Sequence, residues 1–314
     1  MLNNTAVFLG TAPFALPSLQ MMIENNFSLA GIITRPDRPA GRGKKISLPP
    51  VKEMALKYKQ KLFQPHNKAE LESILRDLKP QIIVCVAYGM ILPPAVLAIP
   101  PLGAINVHPS LLPAYRGAAP VQRVLLAGER ETGVSVFFMS PKMDAGDIIL
   151  QERVSIDPEE NFGMLYNRLA VLGAEKLLEA LKMIIGGNAP RVPQDDEKAT
   201  YAPPLSPEDE VIVWSKDARS IANQVRALDP SPGAYTYYRG KRLKIWKAVP
   251  EKQSNAAELF SYPGTICRVE KDSLAVSTAK DLLKIYELQL EGKKRMATGD
   301  FLKGYSLQAG EKLG

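Results

Sequence analysis

With 314 residues the chain exceeds what one hydrophobic core commonly organises, so two domains are expected. Its 46% hydrophobic and 23% charged residues are the ordinary balance of a soluble globular protein, and no apolar run approaches the roughly 20 residues that span a bilayer, which sets membrane insertion aside. The net charge of +7 is unevenly spread: residues 35–61 hold nine Lys or Arg against Asp37 and Glu53 (+7), residues 209–314 hold 18 basic against 13 acidic side chains (+5), and the remainder is net acidic, so two local patches are set to meet an anion.

Met1 to Thr5 leads directly into a strand-like run, without the basic, apolar and cleavage zones of a signal peptide, and cytoplasmic residence is expected. Strand and helix patterns then alternate: Ala6 to Leu9 and Pro17 to Asn25, Leu29 to Thr34 and Val51 to Lys59, Lys68 to Leu78 before Ile82 to Ala87. That alternation predicts an α/β fold with a mostly parallel sheet, Rossmann-like in winding. Gly10-Thr-Ala-Pro13 lacks the later glycines of a dinucleotide fingerprint and reads as a plain tight turn, so no NAD is expected. Thr34 to Lys45, with Arg35, Arg38, Arg42, Lys44 and Lys45 among two glycines and two prolines, is too irregular for helix or strand and reads as a basic loop. Cys85 and Cys267 read as small core residues, with no His or Cys at metal-ligand spacing; neither zinc nor a disulfide is expected.

Ala104-Ile-Asn106-Val-His108 alternates apolar and polar residues, which in a strand sends Asn106 and His108 to one face. Pro109 cannot continue a central ladder, so the pair falls at the strand's carboxyl end, where open α/β sheets bind ligands. Asn106 and His108 can both donate to an oxyanion, and His108 can also change protonation near neutrality. The other histidine, His66, sits in a loop and reads as structural or exposed. A carboxylate is expected beside the imidazole to orient it, and Asp144 and Asp147 are both candidates that spacing alone does not separate.

A helix over Ala119 to Leu126 and strands near Val134 to Met139 and Ile149 to Val154 follow, and then the longest helical pattern, Asn161 to Ile185, which stops at Gly186-Gly-Asn188. Pro190 to Asp209 is rich in Pro, Asp and Glu without apolar periodicity and reads as an interdomain linker. It divides a domain over 1–189 from one over 210–314. Beyond it a helix over Lys216 to Leu228 and short strands at Gly233 to Tyr237, Arg242 to Trp246, Gly264 to Arg268, Leu274 to Thr278 and Leu283 to Leu290 suggest a small β-barrel.

Ser110-Leu111-Leu112-Pro113 followed by Tyr115-Arg116-Gly117 and Pro120, directly after Asn106 and His108, closely resembles the signature of the folate-dependent formyltransferases, and the resemblance runs from the first strand into the C-terminal region. It implies a catalytic domain joined to an OB-like barrel, 10-formyltetrahydrofolate as co-substrate and no metal. The family's Met-Asp-x-Gly pattern falls on Asp144, leaving Asp147 structural, and Ser110 to Pro113 matches its folate-contacting motif. Tyr88-Gly89-Met90-Ile91-Leu92, at the end of the strand holding Cys85, offers apolar side chains to a pterin and backbone groups to its polar edge. Arg116 is given no catalytic role; it reads as a structural cap or ion-pair partner. Members of the family acting on aminoacyl-tRNA carry the basic loop as an insertion, in which Arg42 matches the arginine of a Gly-Arg-Gly motif. The implied partner is aminoacylated initiator tRNA, bound by a monomer through Arg38, Arg42, Lys44 and Lys45 and, on the barrel, Lys241, Arg242 and Lys244, largely at phosphates. A small amine such as glycinamide ribonucleotide is the alternative acceptor within the family, and it would need neither the loop nor the barrel. A catalytically silent tRNA-binding protein is the alternative outside it, and the intact Asn106, His108 and Asp144 argue against that.

Overall fold

The computed structural model describes residues 5–40, 45–253 and 262–314. Two units interleave along the chain: one comprises Met1–Pro120, Glu131–Ser155 and Tyr166–Ala202, the other Val121–Arg130, Ile156–Leu165 and Pro203–Gly314.

The first unit is built on seven strands: β1 (Ala6–Gly10), β2 (Leu29–Ile33), β3 (Leu62–Phe63), β4 (Ile82–Val86), β5 (Ala104–His108), β6 (Glu131–Phe138) and β7 (Ile148–Ser155). They lie in the order β7-β6-β5-β4-β1-β2-β3. The first five run parallel to one another, and β6 is antiparallel to both β5 and β7. β1 and β4 are buried at every position, as strands covered on both faces require. On one face Val7, Leu9, Ile83 and Cys85 pack with Leu71 and Leu75 of a helix over Lys68–Leu78. On the other, Val107 meets the long helix Phe162–Ile185 at Gly173, where a Cβ would sit 2.7 Å from the Val107 side chain. Asn67 caps the Lys68–Leu78 helix by accepting from the Glu70 N–H at 2.9 Å.

The chain winds from β1 outward to β3, returns to β4 beside β1, and continues outward the other way. This reversal leaves a crevice at the carboxyl ends of β1 and β4. Two segments differ from the sequence reading. Arg38–Ala40 and Lys45–Ser47 form a short antiparallel ribbon where only irregular loop was expected, since its three backbone-paired positions leave no apolar pattern. Pro190 to Asp209 is more than a linker: it holds a 3-10 turn at Asp196–Lys198, a parallel pairing of Tyr201–Ala202 with Arg116–Gly117, and a short helix at Pro207–Glu210.

The second unit holds an antiparallel sheet of β8 (Ala234–Tyr238), β9 (Lys241–Glu251), β10 (Ile266–Val269), β11 (Leu274–Ser277), β12 (Leu282–Leu290) and β13 (Met296–Ala297). The order is β8-β9-β12-β11-β10, with β13 added on β12. Residues 310–314 bridge its two edges. Gly310 N donates to Ile266 O, Leu313 N to Gly264 O and Gly314 N to Tyr237 O, all within 2.9 Å. That closure gives the sheet the barrel character expected from the short strands, through backbone contacts of the C-terminal residues that the strand pattern does not show. Ile221 and Val225 from the helix Ala218–Ala227, with Leu243, Ile245, Leu283 and Phe301, form its core. β13 and the helix Thr298–Gly304 were not read from sequence, being too short to show a period.

Phe301 is buried and its ring stacks on Tyr305 at 4.3 Å. Phe301→Ala is expected to destabilise the protein by about 3–5 kcal/mol, measured by urea unfolding of the full chain; a loss under about 1 kcal/mol would mean this helix adds little to the barrel core.

Candidate active site

Period-two alternation along β5 buries Ile105 and Val107 and places Asn106 and His108 on the opposite face, the one that carries Cys85, which pairs with Asn106. His108 is buried and its Nε2 lies 2.9 Å from the Tyr115 carbonyl oxygen. A carbonyl only accepts, so Nε2 carries the proton in that bond. Nδ1 faces Asp144, with Oδ2 3.8 Å away, too far for a direct hydrogen bond. The same Oδ2 accepts the Gly117 backbone N–H at 2.8 Å. The Asn106 carboxamide is half-buried and makes no hydrogen bond among the described residues. It is therefore available to a ligand.

Tyr115, Gly117 and Asp144 all take left-handed backbone conformations, with φ of 60°, 124° and 49°. Only Gly117 does so without steric cost, and its position also demands a hydrogen for a side chain: a Cβ there would sit 2.7 Å from the Ala202 carbonyl oxygen. Arg116, between them, is 1% exposed. Its guanidinium donates through Nε and Nη2 to Gln194 Oε1 at 3.1 and 2.7 Å, and through Nη1 to Asp196 at 2.8 Å. Lys142 also pairs with Asp196, and these two cations, Lys142 first, hold the Asp196 carboxyl below the usual carboxylate range. Asp147 stands apart from His108, with Arg191 3.8 Å away.

The segments expected to meet folate follow the carboxyl ends of β4 and β5, neighbours in the sheet. Only part of each is open. Ser110 is fully buried, its Oγ donating to Ala114 O at 2.6 Å, and Leu112 is buried as well. Ser135 Oγ locks this turn, donating to Ser110 O and accepting from Leu112 N and from Gln151 Nε2. Leu111 and Pro113 remain half-buried. Tyr88 and Leu92 belong to the core beside Leu71 and Leu75, and burial pushes the Tyr88 phenol up to about 12. Gly89, Met90 and Ile91 stay accessible, Ile91 being 59% exposed.

Of the basic residues, Arg38 is exposed on the ribbon. Arg42 and Lys44 lie outside the described residues, as does the side chain of Lys45. Along β9, Leu243 and Ile245 point into the core while Arg242, Lys244 and Trp246 take the alternate positions. The Arg242 guanidinium lies 4.1 Å from the Tyr235 ring centroid and Lys244 Nζ 5.5 Å from that of Trp246, and Lys241 is exposed.

Sequence reasoning missed the Tyr115 carbonyl, the Gly117 N–H and Gln194. Tyr115 and Gly117 sit inside the quoted motif but act through backbone atoms, which a motif does not display. Gln194 lies in the stretch read as linker and has no local signal.

Residues 3–181 match the family model described as formyl transferase, and residues 204–306 match the formyl transferase C-terminal domain. The chain belongs to the formyl transferase family. It is 45% identical over 317 residues to methionyl-tRNA formyltransferase of Syntrophus aciditrophicus, covering 100% of both chains. It is 46% identical to the protein of that name from Carboxydothermus hydrogenoformans, covering 97% of this chain and 98% of that one. Among solved structures, an N-formyltransferase from Helicobacter canadensis in complex with folinic acid and dTDP-3-aminofucose shares the fold, with a TM-score of 0.68, 18% identity and coverage of 93% and 99%.

Gly117→Ala is expected to cost about 1–3 kcal/mol of stability, from its positive φ together with the Ala202 contact. Thermal unfolding checks this, and an unchanged midpoint would mean the Arg116–Gly117 pairing with Tyr201–Ala202 is not formed in solution.

Proposed function

We propose that Asn106, His108 and Asp144 carry transfer of the formyl group of 10-formyltetrahydrofolate to the α-amino group of methionyl-tRNA, the initiator species being the physiological acceptor. The observation that supports this is the convergence of a free carboxamide, a buried imidazole and a carboxylate at the carboxyl end of β5.

Attack of the amine on the formyl carbon makes a tetrahedral intermediate whose former carbonyl oxygen is negative, and a preorganised donor aimed at that oxygen lowers the barrier. The Asn106 amide supplies the donor. The amine must lose a proton as the folate N10 gains one. His108 Nε2 is committed to the Tyr115 carbonyl, so Nδ1 is the nitrogen that takes up and releases the proton, opposite the Asp144 carboxylate. The amine needs no strong base, because a peptide α-amino group titrates at about 7.7–8.0 and the aminoacyl ester lowers it further. The open surfaces of Gly89 to Ile91 and of Leu111 and Pro113 fit a flat, partly apolar heterocycle with a polar edge, and they are where folate binds in this proposal.

In this reading residues 1–189 are the catalytic domain, 190–209 connect, and 210–314 hold the acceptor stem through Lys241, Arg242 and Lys244. Arg38, Arg42, Lys44 and Lys45 meet the end of the stem. The enzyme acts as a monomer in the cytoplasm. No helix among the described residues is long and apolar enough to cross a membrane.

A formylation assay offering methionyl-tRNA and glycinamide ribonucleotide side by side tests the acceptor; a larger kcat/KM for the ribonucleotide would overturn it. Asn106→Ala, His108→Ala and Asp144→Asn should each lower kcat at least about a hundredfold with folding retained, the scale of a lost oxyanion donor. Near-normal turnover in a folded His108→Ala would remove the imidazole from the mechanism. Arg42→Ala should lower kcat/KM for methionyl-tRNA by about one to three orders of magnitude and leave folate affinity unchanged. Equal, small losses on initiator and elongator methionyl-tRNA would reduce the loop to a general electrostatic surface.

A further inference from the structure

Three consecutive residues hold the two titratable members of the site. The Tyr115 carbonyl accepts the hydrogen bond of His108 Nε2–H, and the Gly117 N–H donates to the Asp144 carboxylate. Between them the Arg116 side chain donates twice to Gln194 Oε1. The other end of the Gln194 amide returns to the same loop: Nε2 donates to the Asp144 carbonyl at 2.9 Å and the Gly146 carbonyl at 2.8 Å. All the hydrogen-bonding capacity of that amide is spent, two donors and two acceptor sites, and its orientation is unambiguous because its partners are carbonyls on one side and a guanidinium on the other.

We propose that Gln194, oriented by the buried Arg116, is a positioning residue that holds Asp144 in its left-handed conformation opposite His108 and so sets the turnover of formyl transfer. The proposal rests on the catalytic reading of Asp144. Its physical content is strain. A non-glycine residue at φ 49° persists only where its surroundings over-determine it. Here two attachments do so: the Gly117 N–H fixes the carboxylate end, and Gln194 fixes the backbone end by gripping the carbonyls on both sides of Ala145. Losing the second attachment lets the turn relax toward an ordinary conformation, and the carboxylate moves away from Nδ1. Neither Gln194 nor Arg116 reaches the reacting atoms in this scheme; both act through Asp144.

The test is a mutant cycle read as kcat and KM for formylation of methionyl-tRNA, with melting temperatures for every variant. Gln194→Met, similar in length but unable to donate, should lower kcat about 10- to 100-fold while KM for both substrates stays within about threefold, the signature of a misplaced group and not of lost binding. Gln194→Glu keeps an acceptor for Arg116 but no donor for the two carbonyls, so it should be as impaired as Gln194→Met, and it carries the test if Gln194→Met does not fold. In an Asp144→Asn background, adding either substitution should change kcat by less than about twofold, because the residue it acts through is already disabled.

A full additional loss in that background would make Gln194 a general structural residue and overturn the proposal. So would parental kcat in the folded Gln194 variants. If Asp144→Asn itself kept full turnover, the catalytic reading of Asp144 would fall and the positioning role with it. An impaired Asp144→Asn beside unimpaired Gln194 variants would remove only the positioning role.

Discussion

A guanidinium removed from water must be paired and hydrogen-bonded on all sides, and the buried Arg116 meets that demand with Gln194 and Asp196. The remainder of the site follows from it. Bringing Gln194 and Asp196 to the guanidinium draws in the Pro-rich stretch after the long helix, and Tyr201–Ala202 then pairs with Arg116–Gly117. That pairing sets the Gly117 N–H toward Asp144, while the preceding carbonyl, on Tyr115, fixes the imidazole. One buried cation therefore orders segments on both sides of the imidazole and carboxylate.

The sheet supplies the fixed frame. β5 is parallel to β4 and antiparallel to β6, so it is central, and its two faces have different work. Val107 closes against the long helix at a glycine, which anchors the strand. The other face presents Asn106 and His108 at the strand's carboxyl end, beside the crevice opened by the reversal of strand order. The turn after β5 is rigid for a separate reason: Ser135 Oγ, on the neighbouring strand, holds the Ser110 carbonyl and the Leu112 N–H. Only Leu111, Pro113 and the Gly89 to Ile91 segment keep open surface here, so the folate contact proposed above falls to a narrower set than the motif outlines.

In the second unit the same alternation that fills the barrel core puts cations and aromatic rings side by side on β8 and β9. Arg242 lies over Tyr235, and Lys244 and Arg295 lie near Trp246, 5.5 and 5.1 Å from its ring centroid. Rings in this position limit the freedom of long basic side chains, which would reduce the ordering cost of the phosphate contacts proposed for them.

By itself the sequence determined the parallel strands β1, β2 and β4, because buried strands are continuous apolar runs; the long helices, because their apolar positions repeat at helical spacing; and β5 with the shared face of Asn106 and His108, because strand side chains alternate with period two. The matched motif pointed to Asp144 over Asp147, which spacing left open, and it is Asp144 that lies opposite His108 Nδ1. Tertiary structure decided the rest. Strands such as β3 and β13, and the Arg38–Ala40 ribbon, are two or three residues long and are set by their partners' backbones, with no side-chain period to read. The tautomer of His108, the grip on Asp144 and the placement of Gln194 depend on carbonyl and N–H groups that every residue possesses, and a one-dimensional pattern cannot say which of them will meet in space.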